Sequence, residues 1–564
     1  MTNDSPVRPR LTLVDAALLL ALALFCLRLL GGLEAARDLT LWDEADYLRR
    51  GLALPGHGLP ALALYLCGRL AGAPRVLALL APALFAVSAA AHVAPRPTLL
   101  ALAVVLGGLA LALARPTFAQ ALVPLGLALL LASFARPELF LSFLLVSALL
   151  ALALLLRARA GAAGLALRGA LTYAALSLLL VGLLGNPFSD GTGRRLYAFC
   201  QHYALGQVQR TGLALNPWGQ CNEVLRRSFG EVHSVGEAAR ANPGAFLAHL
   251  RDNLSRYPEA SLRLFVSGPS HPSVLSEEPA PWTPVRRAHA LLLALAATAL
   301  AGALLLRARG LGAALRAPGT RLCALALGVV LLPSALSSLL LHPREHYLVL
   351  QGVLLPLLAL AWVGAAVRGA EPRVLQGAAV GLGLVLLLAA PRLAPVPKGE
   401  APLHRRAVAQ LRAHVPSSGR VALLEAQGGY DVYLGRHVTR ISPARLRPGE
   451  PFERFLQRQG VGFVLLEPQL ARDARLAHDA GFRAFAARPQ DFGYRAQPLP
   501  GTGMTLAVRE APSRGRPAAA VGAAPSARGT PSTRSAPATL GAPALRASPQ
   551  RRAARPRPAA GTAR

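Results

Sequence analysis

Long runs of apolar residues occupy most of the first 390 positions of the chain. The first, 11–30, is about long enough to cross a hydrocarbon core of ~30 Å. It follows Arg8 and Arg10 and has no small-residue cleavage pattern after it, which predicts a retained membrane anchor. Further apolar runs lie at 59–72, 76–92, 97–114, 117–134, 139–156, 169–185, 288–306, 322–341, 348–367 and 374–391, with the run at 59–72 the shortest. We therefore predict a mainly α, polytopic protein with ten or eleven membrane crossings between residues 11 and 391.

The pattern changes after the last apolar run, where shorter helical and strand patterns alternate. The predicted elements are a helix at 403–414, a strand at Val421–Leu424, a helix at 451–458, a strand at Val461–Leu466, a helix at 468–479 and a strand at Met504–Val508. Residues 392–510 are thus predicted to form a small extramembrane α/β domain. Residues 511–564 consist of Ala, Pro, Gly, Ser and Arg with few large apolar side chains, so they are predicted to be a disordered tail.

Basic residues orient the predicted spans, because cytoplasmic loops of membrane proteins carry an excess of Lys and Arg. Two short connections are rich in arginine, the first with Arg157, Arg159 and Arg168 and the second with Arg307, Arg309, Arg316 and Arg321. With these and residues 1–10 on the cytoplasmic side, the loop 32–58, the large loop 186–286 and the C-terminal domain lie on the opposite side. Because residues 1–10 and the connection after residue 156 lie on the same side, an even number of crossings must separate them. This requires either that 59–72 crosses or that one segment between 76 and 156 re-enters.

Composition supports a membrane protein and argues against a nucleic-acid-binding protein. Hydrophobic residues make up 53% of the chain, and the mean hydropathy is +0.41. The net charge of +32 comes almost entirely from scattered arginines and forms no basic face interleaved with aromatics, so no nucleic-acid partner is predicted. Cys200 and Cys221 share one polar loop and could form a disulfide if that loop faces an oxidising compartment.

The most specific motif is Trp42-Asp43-Glu44-Ala45, followed by Asp46-Tyr47, about a dozen residues after the first apolar run. A carboxylate held at the membrane surface could act as a general base, since partial burial raises its pKa toward the working pH range. On spacing alone, two acids that are simply solvated in a polar loop fit better than a catalytic pair.

The motif resembles the first-loop acidic motif of the glycosyltransferase C superfamily. These are polytopic enzymes related to protein O-mannosyltransferases and lipid A aminoarabinose transferases. The segment from Gly58-Leu59-Pro60 to Leu70-Ala71-Gly72 is similar to the amphipathic segment after that motif, and Ala135-Arg136-Pro137-Glu138 resembles an Arg-Pro-Glu element between the middle helices. The resemblance covers about residues 10–510, and the first-loop motif is its specific part.

The resemblance implies transfer of a hexosyl or pentosyl group from a polyprenyl-phosphate donor to a glycan, lipid or protein acceptor. The protein would be a multi-pass protein of the inner (plasma) membrane, and the reaction would take place on the outer face of that membrane. Asp43 becomes the general base, and Glu44 is the neighbour that orients it or binds substrate. No cofactor is required by this scheme, although some superfamily members use a divalent cation, for which Asp38, Asp43 and Asp46 could supply oxygen ligands.

Substrate-binding candidates are side chains suited to phosphate or sugar. Arg344 is the first choice for the lipid phosphate, because a guanidinium makes bidentate contacts, although it could instead anchor the interface beside Tyr347. The other candidates are His346, Tyr347, Arg194, Arg195, His202 and Trp218. The aromatic residues of the large loop could also belong to a small packed subdomain. A zinc site at His342, Glu345 and His346 is not predicted, because Pro343 intervenes and a third ligand at standard spacing is lacking.

Two other classes of function fit parts of the pattern. A transporter or flippase for lipid-linked sugars would share the loop acids and arginines but should place ionisable residues inside its spans. The predicted spans are nearly free of charge, with Arg28 and Arg69 as the notable exceptions, and they show no internal repeat. A non-catalytic scaffold that presents the C-terminal domain to a partner would tolerate replacement of Asp43.

Overall fold

The structure of the chain is a computed structural model. It describes residues 11–36, 38–39, 41, 58–92, 97–187, 194–212, 217, 220–267, 283–307, 311–366, 373–393, 402–447, 449–473 and 475–510. The predicted cytoplasmic N-terminus and the predicted disordered tail at 511–564 lie outside these residues.

Up to residue 393 the described residues are almost entirely helical, as expected of segments rich in Leu and Ala, two of the strongest helix formers. Sixteen helices follow one another in chain order: α1 (Leu13–Ala36), α2 (Leu59–Ala71), α3 (Arg75–Val87), α4 (Pro97–Leu113), α5 (Phe118–Ser133), α6 (Leu139–Arg157), α7 (Ala163–Leu184), α8 (Arg194–Thr211), α9 (Cys221–Phe229), α10 (Val235–Ala241), α11 (Pro243–Val266), α12 (Thr283–Arg307), α13 (Leu311–Ala314), α14 (Pro318–Leu340), α15 (Glu345–Ala366) and α16 (Arg373–Leu393).

Six stretches within the described helices are long and apolar enough to cross a membrane. They are Leu139–Gly161, Leu167–Leu184, Thr283–Gly302, Pro318–Leu340, His346–Ala366 and Arg373–Leu393. The predicted runs between 59 and 134 do form apolar helices, but α2 to α5 have only 13 to 17 residues. At 1.5 Å per residue they extend roughly 20–25 Å, less than a ~30 Å core. The structure therefore supports six candidate spans, and the larger number stays a prediction.

A buried group of charged residues links the start of α1 to the connection between α2 and α3. Asp15 is fully buried, and its Oδ1 accepts from Arg69 Nε at 2.8 Å and from the Tyr65 hydroxyl at 2.9 Å. Its Oδ2 forms an ion pair with Arg75 Nη2 at 3.0 Å. Because Arg69 lies at the end of α2 and Asp15 near the start of α1, the two helices run in opposite directions.

Small residues allow the apolar helices to approach closely. A Cβ added to Gly108 of α4 would lie 2.2 Å from the Cβ of Ala128 in α5, so this contact requires glycine. A Cβ at Gly364 of α15 would lie 2.6 Å from the Cα of Ala73. Van der Waals packing of this kind is the main attraction between helices in lipid, where the hydrophobic effect between helices is absent.

Residues 402–510 form an α/β domain built on one five-stranded sheet. Its helices are α17 (Leu403–His414), α18 (Tyr430–Leu434), α19 (Phe452–Arg458), α20 (Pro468–Ala471) and α21 (Ala480–Ala487), and its strands are β1 (Val421–Leu424), β2 (Val438–Ile441), β3 (Phe463–Leu466), β4 (Tyr494–Leu499) and β5 (Met504–Arg509). The strand order is β2-β1-β3-β5-β4, with β1 parallel to β2 and β3, and β5 antiparallel to β3 and β4. Apolar side chains cover both faces of the sheet in two separate cores.

Most of the elements predicted for this domain are confirmed, although β3 begins at Phe463 instead of Val461 and helix α18 was not predicted. The helix predicted at 468–479 is wrong: α20 ends at Ala471, and helix resumes only at Ala480, where Asp479 accepts from Phe482 N at 2.6 Å as the N-cap. Strands β2 and β4 were not predicted. β4 lies at the edge of the sheet and is buried mainly at its two ends, so its apolar alternation is weak.

Two buried glutamates lie at the carboxyl ends of neighbouring parallel strands. Glu425 follows β1; it accepts from Gly429 N at 2.9 Å and pairs with Arg440 Nε at 3.3 Å. Glu467 follows β3, and its Oε1 accepts from Ala426 N at 3.0 Å and Gln427 N at 3.1 Å, while its Oε2 is buried without a hydrogen-bond partner. The pKa of Glu467 is raised to about 7, mainly by burial and also by the negative charge of Glu425, against the lowering effect of the two amides and of Arg440.

We expect Glu467→Gln to stabilise the domain above pH 7. The folded state holds the Glu467 proton up to about pH 7, whereas the unfolded state loses it near the ordinary glutamate pKa of 4.5. Stability should therefore fall by at most about 3 kcal/mol as pH rises through this window. Glutamine cannot ionise, so the variant should lack this fall. Opening free energies from amide exchange at Leu423 and Leu465, taken at pH 5 and pH 8, would measure it. Exposed Glu453→Gln is the control, and equal pH dependence in all three proteins would contradict the prediction.

Candidate functional site

The turn between α14 and α15 forms the centre of the candidate site, and helix α11 holds it in place. Asn253 Nδ2 donates to the carbonyl oxygens of Leu339 at 2.7 Å and Leu341 at 3.1 Å. His249 Nε2 donates to Leu340 O at 3.0 Å. The last carbonyls of a helix have no partner within the helix, so these two polar side chains of α11 satisfy them. The chain then turns through His342 to Arg344, where Arg344 N donates to His342 O at 2.8 Å.

Helix α8 contributes His202 to this turn. The His202 ring stacks on His342 with centroids 6.5 Å apart and meets the Tyr347 ring edge-on at 6.1 Å. His202 Nδ1 is 2.7 Å from the carbonyl oxygen of Ala198. A carbonyl only accepts, so Nδ1 carries the proton and Nε2 of the neutral ring is an acceptor. The site thus has an imidazole lone pair next to an aromatic ring.

Arg136 joins the Arg-Pro-Glu element to the same turn. Its Nη1 donates to His346 O at 2.8 Å, and its Nε donates to Glu138 Oε1 at 2.7 Å. The guanidinium also lies over the Tyr347 ring, 4.8 Å from the centroid, which is a cation–π contact. Glu138 neutralises the Arg136 charge, so we assign Arg136 the role of holding His346 and Tyr347.

The imidazoles at this site are neutral at physiological pH. Burial lowers the pKa of His202 to about 4, and the positive charge of Arg344 contributes to the shift. Burial also lowers the pKa of His342 to about 4, with His202, Arg256 and Arg344 lowering it further. Since neither ring takes up a proton above about pH 5, the positive charge offered here comes from arginine.

The structure brings together four of the predicted substrate-binding residues: His202, Arg344, His346 and Tyr347. Asp43, Glu44 and Trp218 lie outside the described residues. Arg194 and Arg195 begin α8, but their side chains lie outside the described part of the chain. The central prediction of a base in the first loop therefore stays a prediction, while the proposed phosphate-binding turn has a defined geometry.

Cys200 and Cys221 lie next to each other as buried thiols. Both sulfurs approach Asn222 Oδ1, at 3.3 Å from Cys200 Sγ and 4.0 Å from Cys221 Sγ. A hydrogen bond with the Cys221 thiol, together with burial, raises the pKa of Cys200. The predicted disulfide stays a prediction that this proximity permits. Phe199 and Tyr203 pack with Cys200 and Cys221 in one apolar core, which supports a packed subdomain over the described part of the large loop.

Three residues that support the turn were not identified from the sequence in these roles. Arg136 was noted only as part of a resembling element, and its contact with His346 spans 210 positions. His249 and Asn253 are one helical turn apart on α11 and are both buried. Two buried polar residues at i and i+4 on an otherwise amphipathic helix are a signal that could have indicated a polar partner.

Asp38, one of the possible oxygen ligands for a divalent cation, is hydrogen-bonded by backbone amides, and its role toward a cation stays a prediction. Its Oδ1 accepts from Leu39 N at 2.8 Å and from Arg405 N at 3.1 Å, and both of its oxygens accept from His404 N at 3.0 Å. Both carboxylate oxygens are therefore engaged by backbone amides. Among the described residues, no three His, Cys, Asp or Glu side chains are arranged to hold a metal ion.

Comparison with known proteins adds no family assignment. The chain matches no protein-family model, and no curated protein matches it in sequence.

Proposed function

We propose that this protein transfers a sugar from a polyprenyl-phosphate donor to an acceptor at the outer face of a membrane. The observation that carries the proposal is the turn at His342–Tyr347, where Arg344 adjoins neutral imidazoles and an aromatic ring held by Arg136. This combination suits a sugar phosphate: the guanidinium binds the phosphate, and the ring and imidazoles offer stacking and hydrogen bonds to a sugar. The acidic motif of the first loop would supply the base.

The proposed topology has eleven crossings, with α1 to α7, α12 and α14 to α16 all spanning. The opposite directions of α1 and α2 support a crossing by α2, which is one of the two arrangements that the sequence leaves open. Asp38 contacts α17, so the end of the first span and the α/β domain lie on the same side of the helices. With arginine-rich connections inside, this side is the extracytoplasmic one.

In the proposed reaction, an acceptor hydroxyl or amine attacks the anomeric carbon of the donor sugar. The bond between that carbon and the phosphate oxygen breaks, the acceptor proton passes to Asp43, and the leaving polyprenyl phosphate takes the electron pair. A phosphate leaves as an anion, so it needs a cation more than a general acid. Arg344 provides that charge. His202 and His342 remain neutral, so they can accept or donate hydrogen bonds without repelling the Arg344 guanidinium.

The test is phosphate binding by Arg344. We expect Arg344→Gln to weaken the affinity for polyprenyl phosphate about 10- to 100-fold, because a charge-assisted hydrogen bond contributes about 1.5–3 kcal/mol. Arg344→Lys should recover part of the loss, since it restores charge without bidentate geometry. The measurement is direct binding of polyprenyl phosphate to protein in nanodiscs, followed by sugar transfer from a panel of polyprenyl-phosphate sugars.

Arg227→Gln is the matched control, since it removes one positive charge from the same extramembrane region. Arg227 is exposed on α9 and pairs with Glu223 at 2.9 Å, away from the turn. Equal binding of polyprenyl phosphate by wild type and Arg344→Gln would exclude Arg344 as the phosphate ligand. Absence of transfer from every donor in the panel would refute the proposed function.

A carrier of lipid-linked sugars is the second candidate, because Asp15, Arg69 and Arg75 form a buried ionic group at the end of the helical region. Intramembrane ionisable residues often belong to a transport path. In this group the Asp15 carboxylate is already bonded by Arg69, Arg75 and Tyr65. A transport site would instead offer its charges to the substrate. Movement of a fluorescent polyprenyl-phosphate sugar across vesicles, with unaltered product, would favour the carrier over the transferase.

A further inference from the structure

Helix α17 begins at a residue that cannot cap it. Its N-cap is Pro402, which offers no side-chain hydrogen bond. A capping side chain normally accepts from the amides of the second and third helical residues, which here are His404 and Arg405. Asp38 accepts from both of these amides, at 3.0 and 3.1 Å. The first loop therefore caps a helix that lies 366 positions later in the chain.

The same segment also packs into the domain. Leu41 is only 4% exposed and belongs to the apolar core on one face of the sheet, together with Ala407 and Leu411 of α17. Leu39 packs against that core at its edge. Residues 38–41 thus join the α/β domain by a polar contact at a helix end and by an apolar contact with its core.

In the sequence, Trp42 alone separates Leu41 from Asp43. We propose that the α/β domain anchors the first loop through Asp38 and Leu41, and that Asp38 is a positioning residue for the acidic motif. This inference rests on the proposed transferase function. It assigns the domain a task inside the reaction: it holds the N-terminal end of the segment that carries the base. A misplacement of about 1 Å at a reacting group can lower a rate about 100-fold, so an anchor next to the motif matters for rate.

The experiment separates anchoring from helix capping. Asp38→Ala removes both. Asp38→Ala/Pro402→Ser gives α17 a cap of its own, since Pro402 already has the extended backbone of an N-cap, but it leaves the loop without the polar half of its anchor. Asp38→Asn keeps an accepting oxygen and is the conservative variant. Asp479→Ala is the matched control, because Asp479 caps α21 in the same domain by accepting from Phe482 N at 2.6 Å and has no hydrogen bond to Asp38, Leu39 or Leu41.

For Asp38→Ala we expect faster amide exchange at His404 and Arg405 and a fall in kcat of about 10- to 100-fold, with little change in KM for the lipid donor. Adding Pro402→Ser should restore the protection of these amides without restoring kcat. Asp38→Asn should retain most of the activity, and Asp479→Ala should keep a wild-type kcat.

Recovery of kcat in Asp38→Ala/Pro402→Ser would overturn the proposal, because capping alone would then explain the effect of Asp38. An equal fall of kcat in Asp479→Ala would also overturn it. Amide exchange at Leu41 tests the anchor without any activity, because the amide of Leu39 is bonded by Asp38 itself and would change in any case. An unchanged rate at Leu41 in Asp38→Ala refutes the anchor alone. If the wild type transfers no sugar, the positioning role falls together with the proposed function.

Discussion

Asp43→Asn is expected to lower sugar transfer by about 10²- to 10⁴-fold, the range in which a general base contributes. Asparagine has nearly the shape of aspartate, but its amide cannot take up the proton of the acceptor. Binding of polyprenyl phosphate should stay within about twofold, because the phosphate is assigned to Arg344 and not to the acid. The measurement is a cellular glycan profile together with transfer by purified protein, after equal amounts in the membrane have been verified.

Glu44→Gln separates the two acids of the motif. If Glu44 orients Asp43 or binds substrate, its replacement should cost less activity than Asp43→Asn and should alter KM as well as kcat. An unchanged glycan profile for Asp43→Asn would contradict the transferase mechanism. The carrier and the scaffold would then account for the chain better, since neither needs a base in the first loop.

Arg136→Ala should destabilise the protein by about 3–5 kcal/mol, the usual cost of breaking a buried ion pair from one side. The side chain of Arg136 is 5% exposed and that of its partner Glu138 is 17% exposed. The substitution leaves the Glu138 carboxylate without its partner and removes the donor to His346 O. Thermal denaturation of the detergent-solubilised protein would detect the loss. Arg157→Ala, at the far and exposed end of α6, is the control and should have little effect.

A double variant separates stability from function at Arg136. Arg136→Met/Glu138→Gln removes both charges, so it should recover much of the stability that Arg136→Ala loses. Transfer should remain low, because Tyr347 still lacks the guanidinium over its ring and His346 O still lacks a donor. Wild-type stability in Arg136→Ala would contradict the assigned role. Full transfer activity in the double variant would show that the turn does not depend on Arg136.

Local patterns in the sequence predicted the helical part well. The Leu- and Ala-rich runs correspond to observed helices, and helix α17 and strands β1 and β5 begin where predicted. Apolar periodicity determines these elements, and it is visible in a short window. β2 was missed because it has only four residues, including Arg440, and Arg440 faces Glu425 rather than solvent. That pairing depends on the neighbouring strand and not on the local sequence.

The candidate site was predictable in composition but not in arrangement. Arg344, His346 and Tyr347 are close in sequence, and His202 was selected for its chemistry. The support by Arg136 and Asn253 joins residues 210 and 86 positions apart, respectively, and such contacts leave no spacing signal. Asp38 was named only as a possible cation ligand, and the partners that the fold gives it include two backbone amides of α17. A carboxylate can bind a divalent cation or accept hydrogen bonds from the amides at a helix N-terminus. Only the fold distinguishes these two roles.

The bond between Asp38 and α17 also has a consequence for biosynthesis. A ribosome makes Asp38 366 residues before His404, which at about 5–20 residues per second is an interval of roughly 20–70 seconds. All the helices with candidate phosphate-binding residues are complete before the domain that holds the first loop has been translated. A nascent chain can therefore occupy the membrane and meet lipid substrates while its acidic loop still lacks its anchor. On the proposed function, sugar transfer would then begin only after the α/β domain has been translated and has bound Asp38.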